Sequence, residues 1–152
     1  MIKFLIGKDA YEPKRNFGDA GYDFFVPKDF GGRGLEPGED LLINTHIRVN
    51  MPENRALIAF NKSGVATKKH LQVGACVVDS SYMGEIHIHV FNWSKKAQTI
   101  MAGDKLVQFV PIKIEAEVAN SYDGTRCTVE QFYYGRTSQR GEDGFGSTGD
   151  KA

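Results

Sequence analysis

Val73-Gly-Ala-Cys-Val-Val-Asp-Ser-Ser-Tyr-Met-Gly-Glu85, in the middle of the chain, is an apolar run that ends in a single acid and a turn. Its segment Cys76-Val-Val78 is small and β-branched, which suits a buried strand. The serines and the glycine after Asp79 are turn formers, and a second strand follows over residues 85–91. The stretch therefore predicts a β-hairpin with Asp79 at its shoulder and Tyr82 at its tip. Taken alone, the acid is either a turn cap or a carboxylate whose pKa the apolar strand tunes.

Short alternating or β-branched runs, separated by glycine and proline, recur along the chain, which holds 17 glycines in 152 residues. This pattern is typical of an all-β domain with many turns. Strands are predicted over residues 2–6, 22–26, 41–43, 46–51, 55–60, 85–91, 106–114 and 128–134. A long turn region is expected at 31–38, and one short helix at 63–69 with Ser63 as its candidate N-cap. The predicted architecture is an antiparallel, jelly-roll-like β-sandwich.

The C-terminal end differs in composition from the rest of the chain. From Gly135 onward it is rich in Gly, Ser and Thr and has no apolar periodicity. We therefore predict a β-sandwich domain over residues 1–134 and a flexible, Gly-rich C-terminal arm over 135–152. Such an end is either a solvated tail or, because Arg140 and Phe145 interrupt it, a segment that grips phosphate and stacks on a base.

Charge and composition exclude several classes of protein. Lys plus Arg and Asp plus Glu number 19 each, and this balance argues against a nucleic-acid-binding protein. No apolar run reaches membrane-spanning length, and two cysteines are too few for a disulfide framework. We expect a soluble protein of a reducing compartment, the cytoplasm, or the host cytoplasm for a viral protein.

Five stretches, in order, resemble the trimeric dUTP pyrophosphatase (dUTPase) family, and they cover residues 18 to 149. They are Ala20-Gly-Tyr-Asp-Phe24, Asn61-Lys-Ser-Gly-Val-Ala66, the 73–85 stretch, Ala102-Gly-Asp-Lys-Leu-Val-Gln108 and Arg140-Gly-Glu-Asp-Gly-Phe-Gly-Ser-Thr-Gly149. The resemblance implies an enzyme that hydrolyses dUTP to dUMP and pyrophosphate. This reaction limits uracil in DNA and supplies dUMP for thymidylate synthesis. It further implies a homotrimer whose active sites are shared between subunits.

The resemblance assigns roles to the 73–85 stretch. Asp79 is the expected general base for a water that attacks the α-phosphorus. Tyr82 is expected to pack against the deoxyribose and to exclude a 2′-hydroxyl. The backbone at Val73, Gly74 and Val78 is expected to bind the uracil edge. Cys76 departs from the family, which commonly has glycine at this position.

The remaining family stretches supply the expected phosphate and metal contacts. Substrate-binding roles fall on Lys62, Ser63, Gly64 and Gln108, and supporting roles on Asp23 and Asp104. Mg²⁺ is the expected cofactor, held mainly by the triphosphate and waters, with Asp23 near those waters. In the arm, Phe145 is expected to cover the uracil, and the phosphate contacts are expected from Arg140, Gly146, Ser147 and Thr148. Asn61 and Lys62 replace the family's Pro-Arg, and Asp143 stands where glycine is usual.

Three questions stay open at the level of sequence. A dCTP deaminase shares the family's sandwich, and a non-catalytic regulatory protein could retain the scaffold. The long segment 113–138 is either trimer packing or a surface for another protein partner. His87 and His89 share one strand face; they could begin a metal site, but we expect an outward face, with Ile86, Ile88 and Val90 directed to the core.

Overall fold

The computed structural model describes residues 1–115 and 125–134. Its strands, all antiparallel, are β1 (Lys3–Ile6), β2 (Tyr22–Phe25), β3 (Arg33–Leu35), β4 (Asp40–Asn44), β5 (Ile47–Asn50), β6 (Arg55–Asn61), β7 (Leu71–Val73), β8 (Val77–Asp79), β9 (His87–Asn92), β10 (Gln98–Ile100) and β11 (Lys105–Lys113). A π-helical turn spans Val65–Lys69, and the short helix α1 spans Val129–Phe132. The predicted all-β, antiparallel class with one short helix after β6 is confirmed.

Four sheets make up the strand arrangement. The largest has the order β2-β11-β6-β8, and a second has the order β4-β9-β7. Two-stranded sheets join β1 to β5 and β3 to β10. The chain divides into two compact units, Met1–Ala116 and Glu117–Ala152, and the first contains all of these strands. The predicted boundary between residues 134 and 135 stays a prediction.

Strands with period-two burial build the core. In β9 and the residue before it, Ile86, Ile88 and Val90 are almost fully buried, as predicted from the alternation. Phe24 and Phe109, from neighbouring strands, are also fully buried, and their ring centroids lie 4.7 Å apart. Each such side chain adds roughly 1.5–3 kcal/mol of hydrophobic stabilisation.

The predicted hairpin at Asp79 is wrong. β8 pairs with β6, whereas β9 pairs with β4 and β7, so the two strands belong to different sheets. The 80–86 turn therefore crosses from one sheet to the other. Val77 is 60% exposed and Val78 is buried, because neighbouring side chains on a strand point to opposite faces. The predicted strand is thus present as β8, but its predicted burial holds for Val78 and not for Val77.

Other local predictions need correction. Residues 128–134 contain a helix rather than a strand, and β3 lies inside the predicted turn region 31–38. Thr128 and Gln131 form a capping box, in which each backbone N–H donates to the other side chain, at 2.9 and 3.2 Å. The spacing Thr-x-x-Gln indicates a helix start, but the apolar residues at 129–134 led to the prediction of a strand. Ser63 is not an N-cap, because the π-helical turn begins after Gly64 without a side-chain cap.

Candidate active site

A cluster of charged side chains lies where β2, β11 and the end of β6 meet. Asp23 is directly opposite Gln108 in the β2–β11 register. Its carboxylate binds the ammonium group of Lys62, just after β6, and lies 3.3 Å from Lys105 Nζ. Gln108 Nε2 donates to the backbone carbonyl of Asn61 at 3.3 Å. We call Asp23, Lys62, Lys105 and Gln108 the Asp23 cluster; three predicted residues are thus brought together.

Ser63 and Gly64 extend this cluster into the start of the helical turn. The carbonyl of Ser63 accepts a hydrogen bond from Thr67 Oγ1 at 2.7 Å. Gly64 has an ordinary helical φ of −66°, and a Cβ placed there meets no atom within 4 Å. The chain's own packing therefore does not require glycine here. Its missing side chain leaves room for a molecule outside the chain to approach the backbone.

Asp79 and Tyr82 lie on the turn that leaves β8. Asp79 is exposed, and its carbonyl accepts the Tyr82 N–H at 3.1 Å. The Tyr82 ring folds back, and its hydroxyl donates to the carbonyl of Glu85 at 3.0 Å. A Cβ on Gly84 would lie 2.2 Å from that hydroxyl oxygen. Gly84 therefore makes space for this position of the tyrosine.

A set of residues that the sequence reasoning missed holds the same turn against β4 and β5. Arg48 donates to the carbonyl of Met83 at 2.6 Å and lies 3.4 Å from the Glu85 carboxylate. Glu85 also accepts a hydrogen bond from Asn44 and lies 3.6 Å from His46 Nδ1. The Asn44 hydrogen bond, aided by the positive charge of Arg48 and by His46, lowers the pKa of Glu85 against the opposing effect of desolvation. We call these residues the turn latch.

The backbone at 73–78 is held by hydrogen bonds from both large sheets. Val73 N–H donates to Asn61 Oδ1 at 2.8 Å, and Gly74 N–H donates to the carbonyl of His89 at 2.9 Å. Val78 is buried, and Cys76 is partly buried against the core. Asn61, a departure from the family pattern, therefore links the Lys62 loop to the stretch expected to bind the base.

Asp104 closes a turn rather than a hairpin, because β10 pairs with β3 and not with β11. Its Oδ2 accepts the Met101 N–H at 3.1 Å and lies 3.5 Å from Lys69 Nζ. This contact ties the turn to the helical segment that follows Gly64. The supporting role predicted for Asp104 stays a prediction.

Asp79 and the Asp23 cluster lie at opposite ends of β6. Asp79 is paired with Ala56 near the start of this strand, whereas Lys62 follows its last residue. Six residues of extended chain separate Ala56 from Lys62, which corresponds to about 20 Å. One copy of the chain therefore does not bring Asp79 next to the Asp23 cluster.

A family model described as dUTPase matches residues 9–149 of the chain. The chain belongs to the dUTPase family. The deoxyuridine 5′-triphosphate nucleotidohydrolase of Candida glabrata is 37% identical to it over 132 residues, which cover 86% of this chain and 82% of that protein. The corresponding protein of Clostridium tetani is 32% identical over 148 residues, covering 95% and 93% of the two chains.

Solved dUTPase structures have the same fold. A mutant dUTPase of Staphylococcus bacteriophage 80alpha, solved with dUpNHpp, superposes with a TM-score of 0.78 at 26% identity and covers 98% of each chain. A mutant dUTPase from phage phi11 of S. aureus has a TM-score of 0.71 at 26% identity, covering 81% of this chain and 97% of that one. The phi11 structure describes the coordination of a structural Mg(II) ion.

Family membership confirms the resemblance, but not each residue's role within the dUTPase reaction. The predicted arm residues Arg140, Phe145, Gly146, Ser147 and Thr148 lie outside the described residues. Within the described ranges, no group of three or more His, Cys, Asp and Glu side chains is placed to hold a metal ion. No helix there is both long and apolar enough to cross a bilayer.

Proposed function

We propose that this chain hydrolyses dUTP to dUMP and pyrophosphate, and that it thereby limits uracil in DNA and supplies dUMP for thymidylate synthesis. Membership of the dUTPase family supports the reaction, as do relatives named as deoxyuridine triphosphate nucleotidohydrolases. The phage homologue solved with dUpNHpp supports a deoxyuridine triphosphate as substrate. By contrast, a dCTP deaminase would release ammonia and leave the triphosphate intact.

The observation that carries the shared-site part of the proposal is the separation of Asp79 from the Asp23 cluster along β6. A general base acts only within hydrogen-bond reach of the reacting groups, or through one water. A site that uses both Asp79 and Lys62 therefore needs them from different copies of the chain. This requirement supports a homotrimer in which one subunit supplies the Asp23 cluster and another supplies the Asp79 turn.

Within such a shared site, the Asp79 carboxylate accepts a proton from water as the water oxygen attacks the α-phosphorus. The bond from that phosphorus to the bridging oxygen breaks, and pyrophosphate leaves. A base placed in this way contributes roughly 10²- to 10⁴-fold in rate. Lys62 and the backbone at Ser63 and Gly64 bind phosphate oxygens, and Gln108 contacts the α-phosphate and the attacking water.

Base and sugar recognition falls to the stretch 73–82. The backbone of Val73, Gly74 and Val78 binds the uracil edge, while the Tyr82 ring packs against the deoxyribose. A cleft of about 170 Å³ lies between residues 75–79 and Tyr82. The hydrogen bond from Tyr82 to the carbonyl of Glu85 holds the ring beside this cleft. A ring held there leaves no space for a 2′-hydroxyl.

The charge arrangement fits Mg²⁺ that is bound by the triphosphate rather than by a cage of protein carboxylates. Asp23 is already neutralised by Lys62 and Lys105, so it suits contact with the ion's waters better than direct ligation. When bound, Mg²⁺ neutralises phosphate charge and orients the triphosphate. Asp23 then keeps Lys62 directed toward the same phosphates.

The arm over residues 135–152 completes the proposed site. Phe145 stacks on the uracil, while the terminal phosphates are bound by Arg140, Gly146, Ser147 and Thr148. The chain acts in the cytoplasm, or in the host cytoplasm if it is viral. The segment 113–138 contributes to trimer packing or binds another protein; the exposed side chain of Tyr134 suits such a contact.

Pyrophosphate release tests the proposal directly. The full-length protein is incubated with dUTP, UTP, dTTP or dCTP, with Mg²⁺ or with a chelator. We expect rapid release from dUTP with Mg²⁺ and far slower release in every other combination. Ammonia release from dCTP, or binding of dUTP without pyrophosphate release, contradicts the proposal and indicates the deaminase or the non-catalytic alternative, respectively.

A further inference from the structure

The segment Gly74–Cys76 connects the two largest sheets through its backbone. Gly74 N–H donates to the carbonyl of His89 on β9, and the carbonyl of Cys76 accepts the N–H of Ala59 on β6, at 2.9 and 2.7 Å. Between these two bonds, Ala75 N–H donates to the side chain of His89, at Nδ1, over 2.8 Å. A single imidazole thus holds the centre of the segment expected to bind uracil.

Asp40 on β4 sets the tautomer of this imidazole. Its Oδ2 lies 2.9 Å from His89 Nε2. Because a carboxylate only accepts hydrogen bonds, Nε2 carries the proton and Nδ1 presents its lone pair to Ala75. The His89 side chain is 18% exposed, and its ring lies against Phe91 with centroids 4.9 Å apart. Both ring nitrogens are therefore used, and the ring is held on one side by packing.

Gly74 shows how closely the segment and the imidazole fit. A Cβ on Gly74 would lie 2.3 Å from His89 Nδ1 and 2.6 Å from the Phe91 ring. Glycine here is thus explained by the close approach of the imidazole to the backbone. His89 thus lies on the face of β9 that points away from the core, as expected, but the backbone at Gly74–Ala75 and the Phe91 ring pack against its imidazole there.

We propose that His89, oriented by Asp40, is a positioning residue for the backbone at Gly74–Cys76, which includes or adjoins the residues expected to bind the base, and that protonation of His89 releases this backbone. The inference rests on the proposed dUTP hydrolysis, because it assigns a cause to the geometry of the same site. Groups that bind a base edge must be held in place before binding if they are to discriminate between bases. The imidazole does this for Ala75 and its two neighbours.

Hydrogen-bond chemistry explains why protonation of His89 would release the backbone of Ala75. A protonated imidazole donates from both nitrogens, so it no longer accepts the Ala75 N–H, and two donors then face each other. Among the outward-facing residues of β4 and β9, the ionisable side chains other than His89 are Asp40 and His87. The outward residues Leu42, Asn44 and Gln72 carry no ionisable group, and in the segment itself the one ionisable side chain is Cys76.

The test compares His89→Leu, which removes the acceptor, with His89→Gln, whose amide both accepts and donates but does not titrate. We expect the leucine variant to raise KM for dUTP about 5- to 20-fold with kcat within about twofold, since uniform binding is lost. Its preference for dUTP over dCTP also falls. The glutamine variant restores KM and, unlike the wild type, shows little change in KM across about pH 5 to 8, where histidines change charge.

Two further variants separate positioning from general structural damage. Asp40 is half-exposed, and Asp40→Ala leaves the imidazole in place. The ring proton can then occupy either nitrogen, so we expect KM for dUTP to rise about two- to fivefold. His70→Asn removes another histidine while retaining a residue type tolerant of the positive φ of 52° found there. We expect this control to retain the wild-type KM and pH profile.

Amide exchange of Ala75 in the ligand-free protein gives a readout that does not depend on activity. We expect faster exchange in His89→Leu than in the wild type, and no change in His70→Asn. Unchanged Ala75 exchange together with a wild-type KM in His89→Leu overturns the inference while leaving the dUTP hydrolysis intact. Absence of dUTP hydrolysis in the wild type overturns the proposed function, and the inference with it.

Discussion

Asp79 and Lys62 lie about 20 Å apart, at opposite ends of β6. The strand is antiparallel to both neighbours and unbroken over its seven residues, so it acts as a rigid spacer. In the proposed trimer, the two ends come together from different copies of the chain, and each end alone is an incomplete site. Because of this geometry, a mixture of two inactive variants can test whether active sites are shared between subunits.

The first prediction is complementation between two inactive variants. Asp79→Asn and Lys62→Ala are each expected to be nearly inactive as homotrimers. After the two are unfolded and refolded together, about one site in four receives Asp79 from one variant and Lys62 from the other, so about a quarter of the wild-type activity returns. The measurement is dUTP turnover of the mixed sample. If both residues acted from the same chain, the mixture would stay inactive.

The second prediction concerns Asp79 as the base. Asp79→Asn retains the shape of the side chain but cannot accept the proton from water, so turnover should fall at least about 100-fold. Because Asp79 is exposed, folding should be unaffected. Binding of a non-hydrolysable dUTP analogue, followed by calorimetry, should stay within a fewfold of the wild type. Cleavage of dUTP at the parent rate would exclude the assigned role.

The third prediction concerns pH and the turn latch. The pKa of Glu85 is lowered from its ordinary value of 4.5, so the folded state favours the carboxylate. A depressed folded-state pKa means that the latch stabilises the fold above pH 4.5 and loses this effect as the pH falls below it. Urea unfolding of wild type and Glu85→Gln should therefore differ at pH 7 and converge in acid. A difference that persisted or grew in acid would be inconsistent with the latch.

The fourth prediction uses Gly84 to move Tyr82. In Gly84→Ala the new Cβ meets the hydroxyl end of Tyr82, which can swing away without unfolding the turn. The ring then no longer blocks a 2′-hydroxyl, and the preference for dUTP over UTP should fall about 10-fold. The ratio of the two kcat/KM values measures this. Gly34→Ala is the matched control, because a Cβ there meets no atom within 4 Å.

The fifth prediction concerns the arm. A chain that ends at Gly135 should still form a folded trimer, since the described strands all precede that residue. Its dUTP turnover should fall sharply, because Arg140 and Phe145 are lost. Size-exclusion chromatography and pyrophosphate release measure the two effects. Full activity in the truncated trimer would contradict the role assigned to the arm.

Local sequence patterns were sufficient to predict the positions of most strands. The alternation that buries Ile86, Ile88 and Val90 could be read directly, because the two faces of a strand meet different surroundings. The pairing of Asp23, Lys62 and Gln108 followed only from the family resemblance, since these residues are far apart in the chain. By contrast, the helix at 129–132 was missed although its capping box was present.

The amino-acid order was enough to predict the all-β class and the family correctly, because these depend on short motifs and a two-residue period; Asp79 as the base stays a prediction. The strand partners, the turn latch and the contact between His89 and Ala75 depended on the folded chain. The His89–Ala75 and Asn44–Glu85 contacts join residues 14 and 41 positions apart, and no local period encodes which distant strands lie side by side. Packing of the whole core selects them, so Asp79 proved to lie on a crossing between sheets rather than on a hairpin.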